Sequence, residues 1–249
     1  MPSRDLELEQ DILGSLNRMP EGVAYARDVL KARWYDWEIQ VLQYIGQRTF
    51  LLYPCVAYAR DVLHGRWQSL ETILFQLVAT NEDAWDTVVD YACDVIKGQW
   101  KELEDGIWSG QCPAPVAVDY TARVLMASWP KLESFLLAST PDHDVNQALV
   151  KYAADVLKSR WPDAEKFFLA QSTGEESASA AYWYATNVIK GPWDEGEHLL
   201  LGDPTFANWY SLNVAKGKLS DELHKNLLLL SFKLTDDEGI KEYIRRHPR

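Results

Sequence analysis

The chain has 249 residues, 47% hydrophobic and 25% charged, enough apolar material for a sizeable interior and too much for disorder. Thirty-seven acids against 25 bases leave a net charge of −12, which argues against a nucleic-acid binder or a protein held on an anionic membrane surface. Cys55, Cys93 and Cys112 lack a C-x-x-C spacing, so neither a disulfide framework nor a zinc site is expected.

The first residues, "MPSRDLELEQ", have no apolar signal-peptide core, and the longest strongly apolar run, "NLLLLSF", is too short to span a bilayer. A soluble, cytoplasmic protein is the expectation. Residues 1–19 predict one capping helix, because "LELEQDILGS" aligns with the later "PKLESFLLAS" and matches Glu9 to Glu133.

From Tyr25 the sequence repeats itself. "YARDVLKARWYDWE" (25–38) returns as "YARDVLHGRWQSLE" (58–71), "YACDVIKGQWKELE" (91–104), "YTARVLMASWPKLE" (120–133), "YAADVLKSRWPDAE" (152–165) and "YATNVIKGPWDEGE" (184–197). A worn copy starts at Tyr210, and Tyr243 opens an eighth. Positions are counted here from the anchor tyrosine: a small residue or Ala at +1, Val at +4, Trp at +9 and Glu at +13. Anchor spacings of 26–33 residues mark a tandem repeat.

Each unit reads as two helices. In the first (A-type), the tyrosine, +1, +4 and +5 share a face, and Gly65, Gly98, Gly191 or Gly217 at +7 marks its end. The second (B-type) opens at the tryptophan, with Pro130, Pro162 or Pro192 punctuating the start. The glutamate then sits near the positive end of the B-helix dipole. Neither helix buries its stripe alone, so the expected fold is all-α, an α-solenoid of about seven to eight repeats with half-repeat caps at both ends. Residues 1–249 read as a single domain, with repeats over 20–232 and a C-terminal capping helix and tail over 233–249. The stretch "QSTGEESASA" (171–180) looks like the most flexible linker.

The phrase Y-A-x-x-V-[IL]-K-G-x-W-x-x-x-E resembles tandem helical repeats of poorly characterised bacterial and bacteriophage proteins, over about residues 20–223. That resemblance implies a fold and a broad origin, and it carries no catalytic residue. The architecture is similar in spirit to tetratricopeptide and Sel1-like arrays, which bind proteins.

The repeated Tyr, Trp and Glu fall where packing and helix polarity need them, so they read as core. Asp28, Asp61, Asp94 and Asp155 at +3 precede a Lys or His at +6, and read as an i,i+3 ion-pair ladder, with a binding stripe as the alternative. No catalytic motif, metal-ligand spacing or nucleotide loop is present in the sequence, and the histidines are scattered. No catalytic residue, metal or cofactor is expected.

Two departures from the repeat stand out. In "NEDAWDTVVDYACD", Asp83, Asp86, Asp90 and Asp94 share one helix face, where like charges repel, and Asp119 extends the patch from the next unit. Trp183 and Trp209 stand just before the anchor, where other copies carry Ala24, Ala57, Asp90, Asp119 or Lys151, and each is four residues before Asn187 or Asn213. Exposed tryptophan is a common interface anchor. The expected function is a non-enzymatic scaffold or adaptor. It would bind a protein partner with a basic surface through these nine residues, and neither nucleic acid nor membrane directly. The alternative is a phage- or prophage-encoded acidic decoy that inhibits a host nucleic-acid-directed enzyme.

Overall fold

A computed structural model describes residues 4–82, 84–217, 219–231 and 238–247. The protein is all-α, with no strand among the described residues. By backbone contacts it divides into two compact units, Met1–Leu125 and Met126–Arg249.

In the first unit, α1 (Leu6–Gly14) is the lone B-type helix. The A-type helices are α2 (Glu21–Ala24, continued by Tyr25–Leu30), α4 (Leu52–Tyr58, then Ala59–Leu63), α6 (Ala84–Tyr91, then Ala92–Ile96) and α8 (Ala114–Tyr120, then Thr121–Leu125). They alternate with the B-type helices α3 (Tyr35–Tyr44), α5 (Gln68–Val78) and α7 (Lys101–Trp108). Helix α2 packs on α4, α4 on α6, and α6 on α8, while α3 packs on α5.

The second unit repeats the scheme. It comprises α9 (Pro130–Ala138), α10 (His143–Lys151, then Tyr152–Leu157), α11 (Pro162–Leu169) and α12 (Glu175–Tyr184, then Ala185–Ile189). A 3₁₀ helix (Asp194–Gly202), α13 (Pro204–Asn213), α14 (Asp221–Ser231) and α15 (Glu238–Arg246) follow. Helices α10, α12, α13 and α15 stack in that order, beside α9 on α11.

The core is the repeat phrase. Tyr58, Tyr91, Tyr120, Tyr152, Tyr184, Tyr210 and Tyr243 are buried, as are Trp34, Trp67, Trp100, Trp161 and Trp193, with Trp129 half-buried. Tyrosine and tryptophan of one copy meet ring to ring, at centroid distances of 5.5 Å for Tyr91–Trp100 and 5.2 Å for Tyr184–Trp193. The small +1 residue is fully buried in every copy, as Ala26, Ala59, Ala92, Thr121, Ala153, Ala185 and Ser211.

Copies are joined by their tyrosine hydroxyls. Tyr58 Oη accepts from the Trp34 backbone N–H (2.7 Å) and donates to Glu38 Oε1 (2.8 Å) in the preceding copy. The same clamp recurs as Tyr91 on Trp67 and Glu71, Tyr120 on Trp100 and Glu104, Tyr152 on Trp129 and Glu133, and Tyr184 on Trp161 and Glu165. At the N-terminus Tyr25 holds the Asp5 N–H and Glu9, so Glu9 does occupy the role of Glu133. At the C-terminus Tyr243 receives the Leu219 N–H, and His224 Nδ1 replaces the carboxylate at 2.8 Å.

Three local expectations are corrected. The tryptophan is the residue before the B-type helix, with φ between −117° and −124°, and its backbone N–H is satisfied by the tyrosine of the next copy. The A-type helix does not stop on glycine. Its last turn widens to a π-helix in six copies, and the residue at +6 takes a left-handed backbone in all seven: Lys31, His64, Lys97, Met126, Lys158, Lys190 and Lys216. The carbonyl at +1 accepts the N–H of +6 or +7, as in Lys97→Ala92 (2.8 Å) and Gly65→Ala59 (3.2 Å). Finally, 171–180 is not a loose linker. Gly174 caps α12, Ser177, Ala178 and Ala180 are buried, and a Cβ on Gly202 would lie 2.1 Å from the Gly174 carbonyl oxygen. Those small residues permit close packing.

Candidate functional site

Contrary to the expected ladder, in the first unit no +6 cation among the described residues is salt-bridged to the aspartate at +3. The charges of Lys31 and His64 still help the arginines to lower Asp28 and Asp61, and the ion pairs between copies come from arginines instead. Arg60 at +2 grips Asp61 and reaches Asp94 of the next copy through Nη1 at 2.9 Å. Arg27 likewise lies 3.8 Å from Asp61. Arg123 Nη2 donates to Asp90 at 2.6 Å. The hydrogen bonds from Arg60 hold the Asp61 carboxyl below the usual aspartate range, and Asp90 raises the proton affinity of Arg123.

The acidic face is therefore partly neutralised. Asp90 and Asp94 are half-buried and ion-paired, and Asp119 is half-buried near Arg123. Asp86 is exposed in the first turn of α6, where a carboxylate suits the helix dipole. Asp83 lies outside the described residues.

In the second unit, Trp183 and Trp209 are 43% and 40% exposed. Both flank the buried Tyr182, with ring centroids at 4.8 and 5.9 Å, and Phe206 lies 5.3 Å from Trp209. Asn213 Nδ2 donates to Tyr182 Oη at 3.0 Å. Asn187 is exposed, and with Trp183 it lines a groove of about 580 Å³ between α10 and α12. That volume is in the range of small-ligand and peptide clefts, roughly 300–1,000 Å³. Tyr182 and Phe206 escaped the sequence reading because they sit off the repeat phrase; the clustering of aromatics in "AYWY" and "TFANWY" is the only signal for them.

Burial raises the proton affinity of the Cys55 thiol and pushes Cys112 up to about 12. His143 pairs with Glu176 at 3.2 Å, and His198 Nδ1 lies 2.9 Å from the Glu195 carbonyl oxygen. Among the described residues no group of three His, Cys, Asp or Glu side chains is placed to hold a metal ion, and no helix is long and apolar enough to cross a membrane. No protein-family model, curated protein or solved structure matches the chain.

Proposed function

We propose that this protein is a non-enzymatic helical-repeat scaffold that binds another protein, with the aromatic patch of the second unit as its anchor. The observation that carries this reading is the pair of half-exposed indoles, Trp183 and Trp209, at one repeat position on neighbouring helices α12 and α13. Tyr182 packs against both indoles and Phe206 against Trp209, so little side-chain freedom is lost on binding. Asn187 and the Oδ1 of Asn213 supply hydrogen bonds at the rim. The net charge of −12 favours a partner with a basic surface by long-range attraction. Three free thiols fit a reducing, cytoplasmic setting.

The acidic-decoy reading has weaker support, because arginines from neighbouring copies already compensate Asp90 and Asp94. In affinity capture with quantitative mass spectrometry, Trp183→Lys/Trp209→Lys should lose the partner that the parent retains. With a purified partner the loss should be about thirtyfold or more, the ordinary scale for interface anchors. Unchanged binding by the folded double variant would overturn the assignment.

A further inference from the structure

The cations at +6 have no role in shaping the turn they occupy. Met126 adopts the same left-handed backbone, φ 51°, with no charge, and glycine or asparagine would fit that conformation with less strain. Yet six of the seven copies place Lys or His there, all exposed. In the first unit three of them, Lys31, His64 and Lys97, line one groove of about 660 Å³ at the stacked ends of α2, α4 and α6. Arg27, Arg60 and Asp61 also face it, but these are engaged with one another and with Asp28 and Asp94. Lys31, His64 and Lys97 form no salt bridge among the described residues, although Lys31 and His64 act at longer range on Asp28 and Asp61. With His64 Nδ1 donating to the Arg60 carbonyl at 3.2 Å, Nε2 donates to an anion when the ring is protonated.

We propose that this groove binds a linear oligophosphate. Its cations come from successive helices, whose axes in such packing lie about 8–10 Å apart. They form a row, which a chain of phosphates can follow and a single phosphate cannot. Ammonium groups are compact point charges suited to phosphate oxygens. The acidity of the rest of the chain repels a long nucleic-acid backbone while a short anion can sit inside the groove.

Calorimetric titration of the full chain at low ionic strength, with tripolyphosphate, orthophosphate and a single-stranded oligonucleotide as probes, tests this. Tripolyphosphate should bind about tenfold or more tightly than orthophosphate, and its affinity should fall as salt rises. Lys31→Asn/Lys97→Asn, chosen because asparagine accepts the left-handed backbone, should weaken it at least about tenfold, whereas Lys158→Asn/Lys190→Asn in the second unit should not. If the first variant fails to fold, backbone amide shifts of the parent serve instead, and tripolyphosphate should move those of Ala32, His64 and Lys97. No binding at about 1 mM tripolyphosphate, equal affinity in the Lys31/Lys97 variant, shifts confined to the second unit, or tighter binding of the oligonucleotide would each overturn the proposal.

Discussion

The hydroxyls of the anchor tyrosines from Tyr25 to Tyr184 each satisfy two groups at once: a backbone N–H stranded near a helix start, and a buried or half-buried glutamate. Glu71 is 2% exposed, receives Tyr91 Oη at 2.9 Å and is gripped by Arg66 at 2.9 and 2.6 Å. Tyr91→Phe keeps the ring but leaves the Trp67 N–H unmatched, and should cost about 1–3 kcal/mol in urea unfolding. Trp100→Ala removes a side chain that is 1% exposed and should cost about 3–5 kcal/mol; a melting temperature within a degree or two of the parent would contradict its place in the core. The burial of these residues was legible from spacing alone, because a repeated Tyr, Val and Trp on one face must be covered. Their pairing was not. Periodicity says which side of a helix is buried, and nothing about which polar atoms meet across a gap of 20 residues, as Tyr58 and Glu38 do.

Within a single helix the decisive feature is the widened last turn. Asp28 and Lys31 stand three apart as a helical ion pair would, but with the π-turn and its left-handed end the Asp28 carboxylate bonds Arg27, and Lys31 acts on it without a salt bridge. In the first unit Asp28, Asp61 and Asp94 turn to arginines, and the pairs Arg27–Asp61 and Arg60–Asp94 cross between copies. Such half-exposed pairs contribute about 0–1 kcal/mol, so Asp94→Asn should lower stability only slightly and more at low salt than at high. Met126 gives a cleaner measure of the turn itself. It is 79% exposed at φ 51°, and Met126→Gly relieves roughly 1 kcal/mol of left-handed strain, although glycine's freedom in the unfolded chain offsets part of that. A small rise in denaturation midpoint is expected, and a fall would mean that the methionine makes contacts worth more than the strain. The stretch 171–180 misled for a related reason: small residues mark either freedom or close approach, and only the facing surface, here the 3₁₀ helix at Gly202, decides which.

For the molecule as a whole, the carboxylates and phenols of the clamps set the pH limits of stability. Hydrogen bonds from Arg4 and Arg160 hold Glu9 and Glu165 below the usual glutamate range. A carboxylate with a lowered folded value stabilises above its unfolded value of about 4.3 and loses that contribution as pH falls. Thermal melting should therefore drop below about pH 4, and less steeply in Arg160→Ala. Burial raises Tyr58, Tyr91, Tyr120, Tyr152 and Tyr184 in the opposite sense. Their contribution is complete below about pH 10 and lost above it, so phenolate absorbance from these rings should rise together with the loss of helical circular dichroism. Because the Tyr58 and Tyr91 clamps join a copy to the one before it by the same bonds, each 33 residues after the preceding anchor, those two seams are interchangeable. Cutting after Tyr58 and rejoining at Ala92 would splice "VAY" to "ACDVIKGQW", restoring the repeat phrase without a scar. Unequal crossing-over at such seams adds or removes whole 33-residue cassettes in register, so the number of copies is free to drift by recombination while every remaining tyrosine still finds its glutamate.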